Sequence, residues 1–492
     1  SMKIVVVGGG TAGWLAALMI SKIRPEHSVT VIESSKIGII GAGEGSTGSL
    51  TNIVQNIMWD FGCNEQDFIR ECDATIKLGI KHIGWNKDPN KFYIGPIDGT
   101  PTSNDRCDIV FQHALGYRDQ DLLHIATELG YKIQHNKNSF VEQEGNHAYH
   151  FDAHKVGQYF KKISNATHID SEVNGVILDS ETGYVKELKL ANGDTIQGDM
   201  FIDASGFNQV LMKAVGGKWK SYKENLPVNS ALPFLLPYEE DEVIEPVTNA
   251  WAQNNGWCWQ IPTKNRRGCG YVFCDDFVTP DQAHAELEKT IGRKVDPIRL
   301  LKFDSGRQEN LWIKNVLSIG LCAAFAEPLE ATSIHTTIMQ LKDFVFGCLG
   351  QTVEETCNDG QVKNYNKVNA HLYDTMKDFL VAHYTCGRND TEFWKHIDSG
   401  ATKTEFVTAM QEMCKHRVPN STMFPRQEGS AGWPLWSYVL AGTGALTDKV
   451  ARKEIDFNND KILGDTAYVY HVNQHHTLSE SLPDNTDYIK GI

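Results

Sequence analysis

The chain has 492 residues, of which 41% are hydrophobic and 22% charged, so it is long enough for several domains or one large composite domain with an ample core. Its formal net charge of −15 argues against nucleic acid and against an anionic membrane surface as partners, since both repel an acidic protein. The eleven cysteines form no CxxC pair, no apolar run is long enough to span a bilayer, and no signal peptide is evident, so we expect a cytoplasmic protein with reduced thiols.

The chain begins with the pattern of a dinucleotide-binding unit. The β-branched run Lys3–Val7 predicts a buried parallel strand, and a GxGxxG motif follows it directly. A helix is predicted at Trp14–Ile23 and a second strand at Val29–Ile32, with an acid at the strand end. The glycines permit close approach of a pyrophosphate, the helix N-terminus supplies N–H donors, and the acid binds the ribose of FAD or NAD rather than NADP. The predicted nucleotide contacts are Gly8, Gly10, Thr11, Ala12, Gly13 and Glu33.

Two later segments favour FAD. The first is the glycine-dense loop Gly41–Thr47. The second is the apolar strand Met200–Asp203, which ends in Asp-Ala-Ser-Gly and follows a predicted β-meander from His168 to Ile196 with a hairpin turn at Asn192-Gly193. This order resembles the FAD-binding module of aromatic-hydroxylase-type flavoproteins. No second GxGxxG follows a strand, so no dedicated NAD domain is expected. Gly43, Glu44 and Asp203 are therefore added as predicted cofactor contacts.

Lys77 has two interpretations on its own. Asp73, Lys77 and Lys81 are spaced four apart, which on a helix predicts an exposed row of salt bridges. The alternation of apolar and other residues over Leu78–Ile83 instead predicts a strand that starts near Lys77. In that case Lys77 stands at a helix-to-strand junction, where a side chain can enter a cleft.

The segment Gly256–Pro262, with the sequence GWCWQIP, places two tryptophans two residues apart. Period two directs Trp257 and Trp259 to the same side of an extended segment, and Pro262 requires the segment to end at a sheet edge or a turn. By itself such a run is also typical of aromatic core packing.

Two glutamates precede a predicted helix at Ser333–Phe346. Glu327 and Glu330 can simply complement the helix dipole, or one of them can act as a carboxylate base. The backbone N–H groups of Thr332 and Ser333 at the same helix start are suited to binding an anion.

Three segments, in order along the chain, resemble the flavin-dependent halogenases of the tryptophan halogenase type. GWCWQIP matches their GWxWxIP motif, and Ala74–Ile80 matches the segment that bears their catalytic lysine. Asn315–Gly320 together with Glu327–His335 matches the segment of their catalytic glutamate and halide site. The resemblance extends to about Trp394 and weakens beyond it.

The resemblance implies an FADH2-dependent halogenase that uses O2 and a halide to make hypohalous acid and halogenates an electron-rich small arene such as an indole. A separate flavin reductase would deliver the FADH2. The implied catalytic residues are Lys77, which captures hypohalous acid by hydrogen bonding or as a haloamine, and Glu330, which stabilises the arenium cation and accepts its proton. Halide would bind at Thr332 and Ser333, and Gly320 joins the cofactor contacts.

Trp257 and Trp259 would separate the substrate from the flavin. Ala331 and Ser333 depart from the serine and glycine often found at these positions of the family, which leaves the halide preference open. The competing interpretations are an FAD-dependent aromatic hydroxylase, which shares the FAD module, and a non-catalytic FAD-binding protein.

The predicted fold is α/β, with a Rossmann-type FAD-binding module packed closely on a largely helical substrate-binding module. The FAD module is assigned to residues 1–80, 150–215 and 300–346, and the substrate module to 81–149, 216–299 and 347–492.

Other candidate groups carry less chemistry. His113, His335 and His383 have no partners at ligand spacing, so a structural or hydrogen-bonding role is predicted and no metal site is expected. Trp433 and Trp436 either line an aromatic pocket or pack a C-terminal helix, and packing is favoured. The oligomeric state stays open, with a homodimer as one option.

Overall fold

The computed structural model of the chain describes residues 1–35, 43–55, 60–97, 147–330, 332–417, 433–450 and 485–492, together with Met423 and Lys453. His113 and the first part of the loop Gly41–Thr47 lie outside the described residues. Within them, no helix is both long enough and apolar enough to cross a membrane.

The strands, in chain order, are β1 Lys3–Val7, β2 Ser28–Glu33, β3 Glu44–Gly45, β4 Thr75–Lys77, β5 Gly79–Ile83, β6 Phe92–Pro96, β7 Ala148–Phe151, β8 Thr167–Asp170, β9 Val173–Leu178, β10 Val185–Leu190, β11 Thr195–Gln197, β12 Met200–Asp203, β13 Trp219–Ser221, β14 Ser230–Pro237, β15 Val247–Ala252, β16 Gly256–Pro262, β17 Arg266–Phe273, β18 Leu301–Lys302, β19 Gly306–Gln308, β20 Trp312–Ile313, β21 Val316–Ser318 and β22 Ala324–Phe325.

The α-helices, in chain order, are α1 Thr11–Ile23, α2 Gly48–Val54, α3 Glu65–Glu71, α4 Ala153–Ile163, α5 Val210–Ala214, α6 Pro280–Ile291, α7 Thr332–Lys342, α8 Val353–Thr356, α9 Asp359–Tyr384, α10 Glu392–Asp398, α11 Glu405–Cys414, α12 Trp433–Gly442 and α13 Asn485–Lys490. Short 3-10 helices lie at Gly206–Asn208 and Gly320–Cys322, and a π-helix at Asp343–Cys348.

The first large sheet is the Rossmann-type sheet expected from the start of the sequence. Its order is β20-β21-β12-β1-β2-β8, and it is parallel except for the β20–β21 pair. The apolar residues of β1 are buried, as both faces of a parallel sheet require. The antiparallel meander β9-β10-β11 covers one face, where Leu188 and Leu190 share a core cluster with Val5 and Val7.

One predicted strand joins a different sheet. His168 lies on β8, which pairs in parallel with β2, so the prediction that the meander begins at His168 is wrong. The meander begins with β9, and the predicted Asn192-Gly193 turn does connect β10 to β11. Periodicity cannot assign a short strand to one sheet or another, because alternation describes burial and not pairing partners.

The second large sheet has the order β18-β14-β17-β16-β15-β5-β6 and is mostly antiparallel. It packs with α9, α10, α11 and α12 around a second core, so this part of the chain is less helical than predicted. The GWCWQIP segment is the central strand β16, which ends at Pro262 in a turn closed by Thr263 N–H donating to Arg266 O at 2.9 Å. Trp257 and Trp259 lie on one side, with ring centroids 6.3 Å apart.

The two large sheets meet near Lys77. The small sheet β3-β7-β4 contains the end of the glycine-dense loop, and β4 leads into β5 of the second sheet through Leu78 alone. Leu78 N–H donates to Pro246 O at 2.6 Å and Leu78 O accepts from Ile97 N–H at 3.2 Å, which fixes the crossing point. Lys77 is therefore at a strand-to-strand junction, not at the predicted helix-to-strand junction.

The helix predictions hold with shifted ends. The first helix starts at Thr11 and not at Trp14, and the helix predicted at Ser333–Phe346 consists of α7 and the π-helix that continues it. Trp436 is buried in α12 and packs against the rings of Phe379 and Phe406, each at 5.2 Å, which confirms packing for Trp436. The side chain of Trp433 is outside the described residues.

The substitution Gly270→Ala is expected to destabilise the protein. A Cβ at Gly270 of β17 would overlap the ring of Trp259, so the indole must move, at a cost of about 1–3 kcal/mol in the free energy of unfolding. Gly95→Ala is the matched control, because a Cβ at Gly95 in β6 of the same sheet meets no atom within 4 Å. Urea unfolding of both variants tests this, and equal stability of the two would contradict it.

Candidate active site

The nucleotide cradle lies where β1 meets α1. A Cβ at Gly8 would overlap Ala204 O, so this turn packs directly on the end of β12. Gly320 has a φ of +64°, and its Cβ would lie 2.8 Å from Ala12 Cβ, so the loop after β21 also approaches α1 closely. A Cβ at Gly10 would meet no atom within 4 Å. Open space at a helix N-terminus between three strand ends suits the pyrophosphate of a dinucleotide.

The two predicted acids of this cradle have different surroundings. Glu33 ends β2 and accepts a hydrogen bond from Trp14 Nε1 at 3.2 Å, with His168 Nε2 at 3.2 Å and Lys161 Nζ at 3.8 Å. Asp203 is buried and accepts four hydrogen bonds, from Ser205 N–H and O–H and from the N–H groups of residues 211 and 212. Asp203 thus builds the turn after β12, and Glu33 lies at the open edge of the sheet.

The loop that contains Gly43 and Glu44 forms the next wall. Burial raises the pKa of Glu44 to about 7, so this carboxyl is largely neutral below that pH. Nearby, His335 of α7 lies within hydrogen-bond distance of the hydroxyls of Thr47 at 3.1 Å and Ser49 at 3.0 Å. Burial lowers the pKa of His335 to about 4, which keeps the ring neutral. Together with the open cradle, these residues fit a flavin nucleotide.

Lys77 is buried, with 1% of its surface exposed. The interpretation of Lys77 as part of an exposed row of salt bridges is therefore wrong. Asp73 pairs with Lys155 instead. The Lys77 ammonium donates to Ser46 O at 3.0 Å, beside the glycine-dense loop. Burial lowers the pKa of Lys77 from 10.5 to about 8, and attraction to Glu330 acts in the opposite direction. A lysine that titrates near pH 8 can serve as a donor or as a nucleophile.

Glu330 lies in the loop before α7 and is close enough to Lys77 to raise the pKa of its ammonium. Its Oε1 is in hydrogen-bond contact with His383 Nε2 at the end of α9 and lies 3.3 Å from His82 Nε2 of β5. Burial would raise the pKa of Glu330, but attraction to His383, the hydrogen bond with His383 and the approach of His82 outweigh it and hold the pKa well below its usual range. Glu330 is therefore a carboxylate at neutral pH.

Glu327, three residues earlier, is held in the same way by the next residue of α9. Its Oε1 accepts hydrogen bonds from Trp257 Nε1 at 2.9 Å and from the hydroxyl of Tyr384. Burial raises the pKa of Glu327 to about 7, although both hydrogen bonds favour the ionised form. The first tryptophan of GWCWQIP is thus bonded directly to the segment that carries Glu330.

His82, Glu330 and His383 are also of metal-binding type, and their ligand atoms lie within 4.8 Å of one another. The prediction that His383 has no partner at ligand spacing is therefore wrong. Its partners are distant in sequence, and the fold brings the three groups together. Glu330 and His383 are in direct hydrogen-bond contact, whereas two ligands of one zinc ion stand about 2.0–2.2 Å from the ion on different sides of it. We assign the cluster to hydrogen bonding.

The helix α7 begins at Thr332, two residues after Glu330. The N–H groups of Thr332 and Ser333 are therefore in its first turn, where they have no partners within the helix. Ala331 and the side chain of Thr332 lie outside the described residues, and the Ser333 side chain is exposed.

Sequence reasoning missed three contacts of this site, Ser46 O, His82 and Tyr384. It also missed the role of Glu327. His82 had a signal, since it falls on the buried side of the predicted strand. Ser46 and Tyr384 had none, because each acts through a contact between distant segments. These features together define the class, a nucleotide-binding flavoenzyme fold. One buried lysine lies between the loop of its cradle and the second sheet, and the carboxylate Glu330 belongs to a loop against the aromatic side chains of that sheet.

Comparisons with known proteins agree with this class. The tryptophan halogenase family matches residues 3–476. The tryptophan 6-halogenase of Streptomyces toxytricini is 31% identical over 489 residues, covering 90% of each chain. The tryptophan 7-halogenase of Lentzea aerocolonigenes is 30% identical over 433 residues, covering 80% of this chain and 78% of that protein.

Solved structures give the same result. The crystal structure of the Streptomyces toxytricini enzyme superposes with a TM-score of 0.88, at 25% identity in the superposition, and covers 100% of this chain and 99% of that one. A tryptophan C-6 flavin-dependent halogenase from taromycin biosynthesis superposes with a TM-score of 0.87, at 27% identity and the same coverage. The chain belongs to the tryptophan halogenase family and is a flavin-dependent halogenase.

The Glu327→Gln variant is expected to change how stability depends on pH. Because the folded state raises the pKa of Glu327 from 4.5 to about 7, its contribution to stability is fully present below pH 4.5 and is lost as the pH rises through 7. The difference in unfolding free energy between wild type and E327Q should therefore change by up to about 3 kcal/mol over this window. Urea unfolding from pH 4 to 8 measures it, and a constant difference would contradict the assignment.

Proposed function

We propose that Lys77 carries hypohalous acid to the arene. The observation that supports this is the buried Lys77 ammonium, which donates to Ser46 O in the predicted flavin loop and is electrostatically coupled to the carboxylate Glu330. The reduced flavin, when bound, would supply two electrons to O2 and so activate it to oxidise the halide to hypohalous acid. An ammonium has three donors and can polarise the oxygen of hypohalous acid, which makes the halogen more electrophilic. The deprotonated amine can instead form a haloamine.

Glu330 is proposed as the second catalytic residue. Electrophilic substitution passes through an arenium cation, which a carboxylate stabilises and then deprotonates. Positioned general bases contribute about 10²- to 10⁴-fold in rate. Its pKa, held well below the usual range, keeps Glu330 ionised at the pH at which Lys77 operates.

The halide and cofactor contacts remain proposals of the same kind. The first-turn N–H groups of Thr332 and Ser333 would hold the halide at the start of α7. Gly8, Gly10, Thr11, Ala12 and Gly13 would bind the pyrophosphate, and Glu33 the ribose, with Gly43, Glu44, Asp203 and Gly320 in the surrounding loops. The division into modules at the predicted boundaries also stays a proposal.

The substrate is proposed to be an electron-rich small arene such as an indole. The relatives are named for tryptophan, at its 6 and 7 positions, so an indole ring is the shared chemistry. A separate flavin reductase would supply the FADH2. The rival activity, aromatic hydroxylation, would give hydroxylated product from FADH2, O2 and an indole without any halide, and that assay separates the two.

Replacement of Lys77 is expected to abolish halogenation while FAD binding is retained. In Lys77→Ala no amine remains to capture hypohalous acid, so product should fall by at least about 10²-fold. Lys81→Ala is the matched control, because Lys81 is only partly buried and lies over the Phe92 ring at 4.5 Å. Product analysis and flavin titration of both variants test this, and substantial product from Lys77→Ala would exclude the role.

The pH dependence of the wild-type enzyme distinguishes the two forms of this proposal. Since the pKa of Lys77 is about 8, an ammonium that polarises hypohalous acid loses activity as the pH rises through 8. A haloamine route gains activity over the same range.

Trp257 and Trp259 are proposed to keep the arene away from the flavin. Trp257→Ala with Trp259→Ala should then increase oxygenated product relative to halogenated product. The control is Trp257→Phe, which keeps a ring of similar bulk but removes the hydrogen bond to Glu327. Product ratios by mass spectrometry test this, and a ratio that is equal in all variants would reject the separating role.

A further inference from the structure

Glu330 is held through only one of its two oxygens. Oε1 is contacted by His383 Nε2 and lies 3.3 Å from His82 Nε2, and both imidazoles are buried. No hydrogen bond to Oε2 comes from the side chains and backbone that the structure describes. The Glu330 side chain is 15% exposed, so it is not fully enclosed by protein.

The proton on His383 can be placed from its neighbours. His383 Nδ1 lies 2.7 Å from Phe379 O, and a backbone carbonyl can only accept, so Nδ1 carries a hydrogen. Nε2 and Glu330 Oε1 are then in contact with lone pairs facing one another unless a proton lies between them. This shared proton makes the contact a hydrogen bond and holds Oε1 against the imidazole.

The remaining groups around Glu330 are Lys77, His82 and Tyr93. Burial lowers the pKa of His82 and raises that of Tyr93 well above 10, so both are neutral at pH 7. The Tyr93 ring stacks on His82 with centroids 4.7 Å apart and an interplanar angle of 12°, which fixes the plane of the imidazole. Among these three groups, Lys77 is therefore the one that can carry a positive charge at pH 7.

We propose that His383 and His82 are positioning residues that fix Oε1 of Glu330 and so leave Oε2 to take the proton from the halogenated arene. The arene C–H bond breaks, its electron pair restores the aromatic ring, and the proton forms an O–H bond at Oε2. His383 lowers the pKa of the carboxyl, which allows this proton to leave again to solvent. This inference rests on the proposed role of Glu330.

The test compares two amides at position 383. In His383→Gln the side-chain N–H can still reach Glu330, whereas in His383→Asn it is too short and reaches only the position of Nδ1. We expect His383→Asn to lower kcat for halogenation about 10²-fold with little change in KM, because a base displaced by about 1 Å loses that much rate. His383→Gln should restore part of the rate.

Two further readouts separate positioning from a merely structural effect. In His383→Asn the acid limb of the kcat profile should move to higher pH, because Glu330 loses the neighbour that lowers its pKa. An arene deuterated at the halogenated carbon should then show a primary isotope effect that the wild type lacks, since proton loss has become slow. His82→Phe, which keeps a flat ring beside Tyr93, should show both effects to a smaller degree.

The outcomes assign any failure to its source. Wild-type halogenation by Glu330→Gln would overturn the proposed role of Glu330. If Glu330→Gln loses halogenation but His383→Asn shows neither a shifted pH profile nor an isotope effect, the positioning role alone is overturned. Loss of wild-type activity on chelation, restored by Zn²⁺, would show that the cluster is a metal site and would also overturn it.

Discussion

The last turn of α9 holds two carboxylates of one loop, and the site depends on this contact. His383 bonds Glu330 and its neighbour Tyr384 bonds Glu327. Adjacent residues on a helix point about 100° apart. The loop can contact both side chains because it wraps around the end of the helix. The loop between β22 and α7 is thereby fixed relative to the second sheet, and with it the start of α7.

The two carboxylates show how environment decides the state of identical groups. Burial raises the pKa of Glu327 to about 7, while neighbouring imidazoles hold that of Glu330 well below its usual range. Neutral donors such as an indole N–H and a phenol stabilise a buried anion less than an imidazolium does. Glu327 is therefore suited to a structural hydrogen bond with Trp257, and Glu330 is suited to stabilising a cation.

Local patterns in the sequence were sufficient for the β1-α1-β2 unit and for the later strand β12, but not for how the strands pair. The β1-α1-β2 segment is contiguous, and its glycines and Glu33 act through neighbours in the chain. Alternation also indicated the extended segment after Lys77, although not the strand that precedes it. The contacts of Glu330 were beyond such reasoning, since His82 and His383 are 301 residues apart in sequence and meet only when the second sheet and α9 pack together. The same limit applies to β8, whose partner strand depends on tertiary packing.

The hydrogen bond from Lys77 to Ser46 O has a consequence for how the two halves of the reaction communicate. Ser46 follows directly on β3, the strand that also contains Glu44, and the backbone around Lys77 is fixed by the crossing at Leu78. Because β3 and β4 both pair with β7, the acceptor of the ammonium and the lysine backbone belong to one small sheet at the wall of the nucleotide site. A ligand bound against this sheet would act on the strand that carries Lys77, and by reciprocity a group captured on Nζ would change the affinity of the nucleotide site. Occupancy of the cradle and readiness of the amine are in this sense one coupled equilibrium.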